Sequence, residues 1–109
     1  MVRLSFKKVY EKYILDKSKR TTCRIGNKFE RYNNKLIDIV VGSRYKQRII
    51  KSVFAVEIII KKWSDVTDDD LLLESPDCRT KEGLRCTMFH INGKILEDDD
   101  EVTLITWGY

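Results

Sequence analysis

The chain has 109 residues, 42% of them hydrophobic and 35% charged, with five Gly and one Pro. That length suits one domain spanning residues 1–109 with a single modest core, and the composition argues against long disordered or low-complexity tracts. The net charge is +4 from 21 Lys and Arg against 17 Asp and Glu; most of the positive charge lies before Trp63, and acid gathers at Asp65–Asp70 and Glu97–Glu101. No apolar run is long enough to cross a bilayer, and the N-terminus has no apolar segment ahead of a cleavage site. The expectation is a cytoplasmic protein with no membrane association, acting as a monomer.

In chain order, Val2, Leu4 and Phe6 alternate with polar residues as a first strand, and Lys7 or Lys8 opens a helix. Val9, Tyr10, Tyr13, Ile14 and Leu15 recur at helical spacing, so this helix should lay one face on a sheet before ending near Lys17. A basic strand follows from Lys19 to Ile25 and closes at Gly26-Asn27. A polar loop runs to Lys35, and Ile37, Ile39 and Val41 form a strand that stops at Gly42-Ser43. From Tyr45 to Trp63 the chain is β-branched and aromatic, too long for one flat strand. A break or bulge near Lys51-Ser52 is expected, giving two strands or one strongly bent strand. Thr67 caps a short helix that carries Asp68, Asp69 and Asp70 in its first turn and runs to Glu74, and Ser75-Pro76-Asp77 breaks it. Thr80 starts another helix that reaches Ile91, Asn92-Gly93 turns the chain, and Val102 to Trp107 is the last strand. Strand and helix do not alternate, so a doubly wound parallel sheet is disfavoured. A partly closed, mixed α+β barrel of five to six strands with two to three flanking helices is predicted.

The basic strand is the candidate site. Period-two alternation puts Arg20, Thr22 and Arg24 on one face and Thr21, Cys23 and Ile25 on the other, apolar one. A hydroxyl and a guanidinium then project together and can meet one polar ligand. Arg44, Lys46 and Arg48 alternate in the same way and extend a basic face toward a phosphate backbone. Tyr32, Tyr45, Trp63 and Trp107 could stack bases, although core packing is the better reading of both tryptophans. Cys23, Cys78 and Cys86 are an odd set best read as reduced thiols. Cys86 with His90 falls short of the ligand number a structural zinc needs, and no metal or other cofactor is expected.

Phe6-Lys7-Lys8, Tyr10-Glu11, Ile14-Leu15, Lys19-Arg20-Thr21-Thr22-Cys23-Arg24-Ile25-Gly26, Asp38-Ile39-Val40, Trp63-Ser64-Asp65-Val66-Thr67 and Glu74 together closely resemble the ASCH (activating signal cointegrator homology) domain, over nearly the whole chain. The resemblance implies a PUA-like β barrel with a basic cleft at its side that binds RNA or a nucleotide. Some small bacterial members are amidohydrolases that deacetylate N4-acetylcytidine, and a ribonuclease is a further alternative. The amidohydrolase pattern Lys-x-x-Thr-x-Arg with a later Glu falls on Lys19, Thr22, Arg24 and Glu74. The resemblance then implies Thr22 as nucleophile, Lys19 as its base and Glu74 as the residue that orients the base or holds the leaving amine. Alternation on the two basic stretches adds Arg20, Arg24, Arg44 and Lys46 as the expected ligand-binding residues. Were the strand to begin at Lys19, Lys19 and Thr22 would lie on opposite faces, so Lys19 must sit in the preceding loop and fold back.

Overall fold

The computed structural model describes residues 2–29, 32–43 and 45–109. Five strands form one sheet: β1 (Val2–Phe6), β2 (Thr21–Ile25), β3 (Leu36–Val41), β4 (Arg48–Lys62) and β5 (Glu101–Gly108). Their spatial order is β1-β3-β4-β5-β2. The β1–β3 pair is parallel and the other three pairs are antiparallel. The sheet curls until its two edge strands meet side chain to backbone, where Arg24 Nη2 of β2 donates to the Ser5 carbonyl of β1 at 2.6 Å. The result is a half-barrel whose seam lies between β1 and β2.

Alternation on β5 explains why both faces of the sheet are buried. Ile105 and Trp107 point inward with Leu4, Phe6, Ile37, Ile39, Val53 and Ala55, and this concave core is closed by Tyr10 and Ile14. Val102 and Leu104 point outward with Cys23 and pack under Trp63, Leu71, Leu84 and Met88. Trp63 and Trp107 are thus both core residues, and Tyr32 is buried in the concave cluster and not displayed for stacking. Among the described residues no helix is long and apolar enough to cross a membrane.

The Tyr45–Trp63 stretch is one bent strand, β4, with two register shifts. Ile39 pairs with Lys51 but Val40 with Ile49, so Ile50 is extra; Ala55 and Glu57 pair with neighbouring residues Trp107 and Thr106, so Val56 is extra. Each bulge reverses the parity of the strand. Even-numbered Ile50, odd-numbered Val53 and Ala55, and even-numbered Ile58 can therefore all face the concave core.

The helices are shorter than the sequence reading. The first segment is a 3-10 turn, Lys8–Tyr10, followed by α1 (Glu11–Leu15). The predicted helix after Thr67 is a 3-10 turn, Asp68–Leu71, and does not extend to Glu74. Its N-terminus is as expected: Thr67 Oγ1 accepts from the Asp70 amide and the Asp70 carboxylate accepts from the Thr67 amide, a reciprocal box. A further 3-10 turn, Pro76–Cys78, leads into α2 (Lys81–Asn92), which Thr80 caps and Gly93 ends in the left-handed conformation.

Gly83 lies in the first turn of α2, where alanine would normally stabilise a helix by about 0.5–1 kcal/mol. Here a Cβ would stand 2.5 Å from the Asp77 carbonyl oxygen. Gly83→Ala is therefore expected to destabilise by about 1–3 kcal/mol as an overpacking change, read as a lower denaturation midpoint. A rise in the midpoint would refute this account of the α2 packing.

A candidate nucleotide pocket at the barrel seam

The chain leaves α1 through Lys17, whose φ is +68°, and the Lys19 amide donates to the Tyr13 carbonyl at 3.0 Å. β2 starts only at Thr21, so Lys19 sits in the loop before it. Its side chain folds back, and Nζ donates to the Thr21 carbonyl at 2.8 Å and to the Glu74 carboxylate. Three rings surround this ammonium, with centroids at 5.4 Å (Phe6), 5.9 Å (Tyr10) and 6.0 Å (Trp107). Lys19 is only 2% exposed, as is Glu74. A buried charge survives only when paired and hydrogen-bonded, and here both conditions hold.

Glu74 lies just past the Asp68–Leu71 turn and is a hub for donors. Oε1 accepts from Lys19 and from the Ser75 amide at 3.3 Å, and Oε2 accepts from the Cys23 amide at 3.0 Å. The neighbouring Leu73 carbonyl accepts from the amides of Arg20 (2.7 Å) and Thr21 (3.2 Å). β2 is an edge strand, so its outward amides need partners from outside the sheet. The Leu73-Glu74 segment supplies them.

Lys19, Thr22, Arg24 and Glu74 line one pocket of about 160 Å³ at the seam, together with Phe6, Lys7, Tyr10, Ser75, Thr87 and Asn92 among others. The Thr22 hydroxyl has no hydrogen-bond partner among the described residues, and the buried Ser75 hydroxyl has none either. Thr21, the adjacent hydroxyl, is on the other face of β2 and bonds Thr106 Oγ1 at 3.1 Å. Arg24 is half-buried over the Phe6 ring, its guanidinium carbon 4.8 Å from the centroid. Burial pulls its pKa below the ordinary value while Glu74 opposes that shift.

Other residues singled out in the sequence fall elsewhere. Arg20 is exposed and does not line the pocket. Lys46 lies in the turn between β3 and β4 and not on a strand with Arg48, which opens β4 and pairs with Glu11. Arg44 lies outside the described residues. Cys86 and His90 are both exposed on α2, and no described His, Cys, Asp or Glu residues cluster as a metal site. Sequence reasoning missed Lys7, Tyr10, Ser75, Thr87 and Asn92. For Ser75 the adjacency to Glu74 was a usable signal; α2's contribution had none.

Cys23 and Cys78 also reach the pocket wall. Burial, reinforced by the Glu74 charge, pushes their thiols up to about 12 and about 11 respectively. Burial, with Cys78 and Asp77, likewise raises the Tyr10 phenol, whose hydroxyl donates to Asp77 Oδ2 at 3.2 Å. These thiols are poor nucleophiles at neutral pH, because the thiolate is the reactive form.

The curled five-strand half-barrel with its two helices matches the ASCH, PUA-like fold. No protein-family model matches the sequence and no curated protein matches it. Among solved structures, the chain is similar to an ASCH domain from Lactobacillus crispatus JV V101 with TM-score 0.66 and 13% identity over 97% of this chain and 78% of that one. It is also similar to a DUF984 protein from Enterococcus faecalis V583, with TM-score 0.63 and 12% identity over 91% of this chain and 68% of that one. At these identities the likeness is one of fold.

Two predictions follow from the burial. Glu74→Gln strands the Lys19 charge and is expected to cost about 3–5 kcal/mol, whereas Arg48→Ala, which breaks an ion pair with an exposed arginine, costs at most about 1 kcal/mol. Equal losses in denaturant unfolding would contradict this ranking. In the native protein at pH 8, iodoacetamide should alkylate exposed Cys86 alone, with Cys23 and Cys78 modified only after unfolding, as followed by intact mass. Rapid native modification of all three would show that the pocket wall is open.

Proposed function

We propose that this protein binds RNA, or a nucleotide derived from it, by admitting one base-sized group to the seam pocket. The observation that carries this reading is the convergence there of Lys19, Thr22, Arg24 and Glu74, drawn from two segments 55 positions apart. The pocket is smaller than the roughly 300–1,000 Å³ typical of drug-sized sites, which suits a single base-sized moiety. Phe6 and Tyr10 offer ring surface, Ser75, Thr87 and Asn92 offer polar groups for base edges, and Arg24 with Lys7 supplies positive charge at the same place. The RNA association implied by the ASCH resemblance points the same way.

A second reading is favoured by the Thr22 hydroxyl, which has no partner among the described residues. In an N4-acetylcytidine amidohydrolase, Lys19 first passes one proton to the Glu74 carboxylate, and the neutral amine then takes the Thr22 hydroxyl proton as Oγ1 bonds to the acetyl carbonyl carbon and the carbonyl π bond opens. The C–N4 bond then breaks, Lys19 returns the proton to N4, and cytidine leaves. Water hydrolyses the acetyl–Thr22 ester to acetate. Glu74 keeps the proton it received, holds the Lys19 amine in place, and returns the proton once acetate has left. A ribonuclease is the third reading, and no particular contact favours it over these two.

The readings separate in one set of measurements. Binding of short single-stranded RNA should weaken with salt, and Arg24→Ala should weaken it about tenfold with the unfolding midpoint recorded alongside. Salt-independent binding, or an Arg24→Ala variant that binds as wild type, would remove the binding reading. For the enzyme, N4-acetylcytidine should yield cytidine and acetate, and Thr22→Val, which keeps the volume but lacks the hydroxyl, should slow release by about 100-fold or more. Undiminished release would take Thr22 out of the mechanism.

A further inference from the structure

Beyond the pocket, the surface around Tyr109 gathers positive charge that the pocket does not use. The Tyr109 hydroxyl donates to the Lys19 carbonyl at 2.6 Å, which fixes the ring beside the loop that carries the buried ammonium. Two cations stand against that ring: Lys51 Nζ is 5.1 Å from its centroid and the Arg20 guanidinium carbon 5.7 Å. Neither has a carboxylate within 4 Å among the described residues. Arg20 uses Nε on the Lys17 carbonyl at 3.4 Å, leaving most of its donors uncommitted. The acid that acts on Tyr109 is Asp16. Its carboxylate is occupied by the Ser18 amide at 2.9 Å and lies under the charge of Lys12 and Arg79.

Two cations against one ring, with Asp16 the acid near it and already engaged by Ser18, raise the local potential and favour an anion there. An aromatic face flanked by cations is the chemistry that holds single-stranded nucleic acid, the ring stacking a base while the cations meet phosphates. The ring is also linked to the pocket, since Tyr109 makes an edge contact with Trp107 at 6.5 Å and Trp107 forms part of the cage around Lys19. We infer that Tyr109, Arg20 and Lys51 form a docking surface for single-stranded nucleic acid outside the seam pocket. This inference rests on the nucleotide-binding reading of that pocket and extends the contact to the phosphates of a longer strand.

The test compares a fluorescein-labelled 12-nucleotide single-stranded RNA with free cytidine 5′-monophosphate, on wild type, an Arg20→Ala/Lys51→Ala double variant and an Arg85→Ala control on α2. The double variant should lose about 10-fold or more in RNA affinity at low salt, and its salt slope should fall by about 0.7 for each phosphate contact removed. Its affinity for the mononucleotide should stay as in wild type, and the control should match wild type throughout. RNA affinity and slope unchanged in the double variant would overturn the inference. Equal losses for RNA and mononucleotide would also overturn it, because the effect would then be transmitted through Lys19. Wild-type binding of the mononucleotide without binding of the longer RNA would sink the docking surface and leave the pocket reading intact, whereas binding of neither would sink both. Preferential binding of anionic phosphatidylserine vesicles, lost in the double variant while RNA binding is not, would reassign the surface to a membrane and overturn the inference.

Discussion

The buried pairing of Lys19 with Glu74 is the constraint from which the site follows. Taking two opposite charges out of water carries a desolvation cost of several kcal/mol per ion, and such a pair is tolerated only where further hydrogen bonds complete it. Here they do: the carboxylate also accepts from the amides of Cys23 and Ser75, and the ammonium also reaches the Thr21 carbonyl. Those partners are backbone groups of β2 and of the residue after Glu74, so the pair does more than neutralise itself. It clamps the segment between Leu71 and Cys78 along the free edge of β2, with the Leu73 carbonyl taking the amides of Arg20 and Thr21. This clamped segment lines the pocket together with β1, the rings of Phe6 and Tyr10, and α2.

The seam itself reflects an open sheet that must manage two edges. β2 is covered by the clamped segment, and β1 is covered by side chains: the Ser5 carbonyl accepts from Arg24 and the Arg3 carbonyl from the Tyr32 hydroxyl at 3.2 Å. Main-chain pairing across the gap would have completed a barrel and filled the pocket. Bridging it with a guanidinium leaves space beside Thr22, and it also ties that space to a group able to exchange its backbone partner for a ligand anion. Arg24 therefore closes the seam with a side chain while leaving the space beside it open.

How far the sequence revealed this differs with the physics of each feature. Local chemistry was legible: the alternation of β2, the caps at Thr67 and Thr80, and the turn at Gly93 all follow from short-range rules and stand where those rules put them. The bent β4 was legible as a length problem, but its bulges sit at Ile50 and Val56 because tertiary pairing with β3 and β5 fixes where parity must reverse. The helix after Thr67 was read too long, since three leucines and a glutamate suit a helix. Burying Leu71 while sending Glu74 back to Lys19 requires the chain to leave the helical path first. Arg20 and Lys46 were read with the site by strand alternation, yet β2 does not extend back to residue 20 and β4 does not reach residue 46. The joining of Lys19 to Glu74 across 55 positions had no local signature, and only the family resemblance put the two together.

The two adjacent hydroxyls differ in their surroundings. Thr21 and Thr22 are both buried, but period-two alternation turns Thr21 toward Thr106 on β5, where the two hydroxyls satisfy each other. Thr22 faces the seam and has no such partner among the described residues. The Thr22 hydroxyl opens onto the pocket, where water can meet it, so it carries no burial cost. The Ser75 hydroxyl is enclosed without a partner, a cost of about 1–3 kcal/mol. The enclosed Ser75 hydroxyl, next to Glu74 on the segment clamped along β2, leaves this pocket one polar partner short. An apolar occupant would leave the Ser75 hydroxyl unmet, whereas one with a hydrogen-bonding edge would meet it.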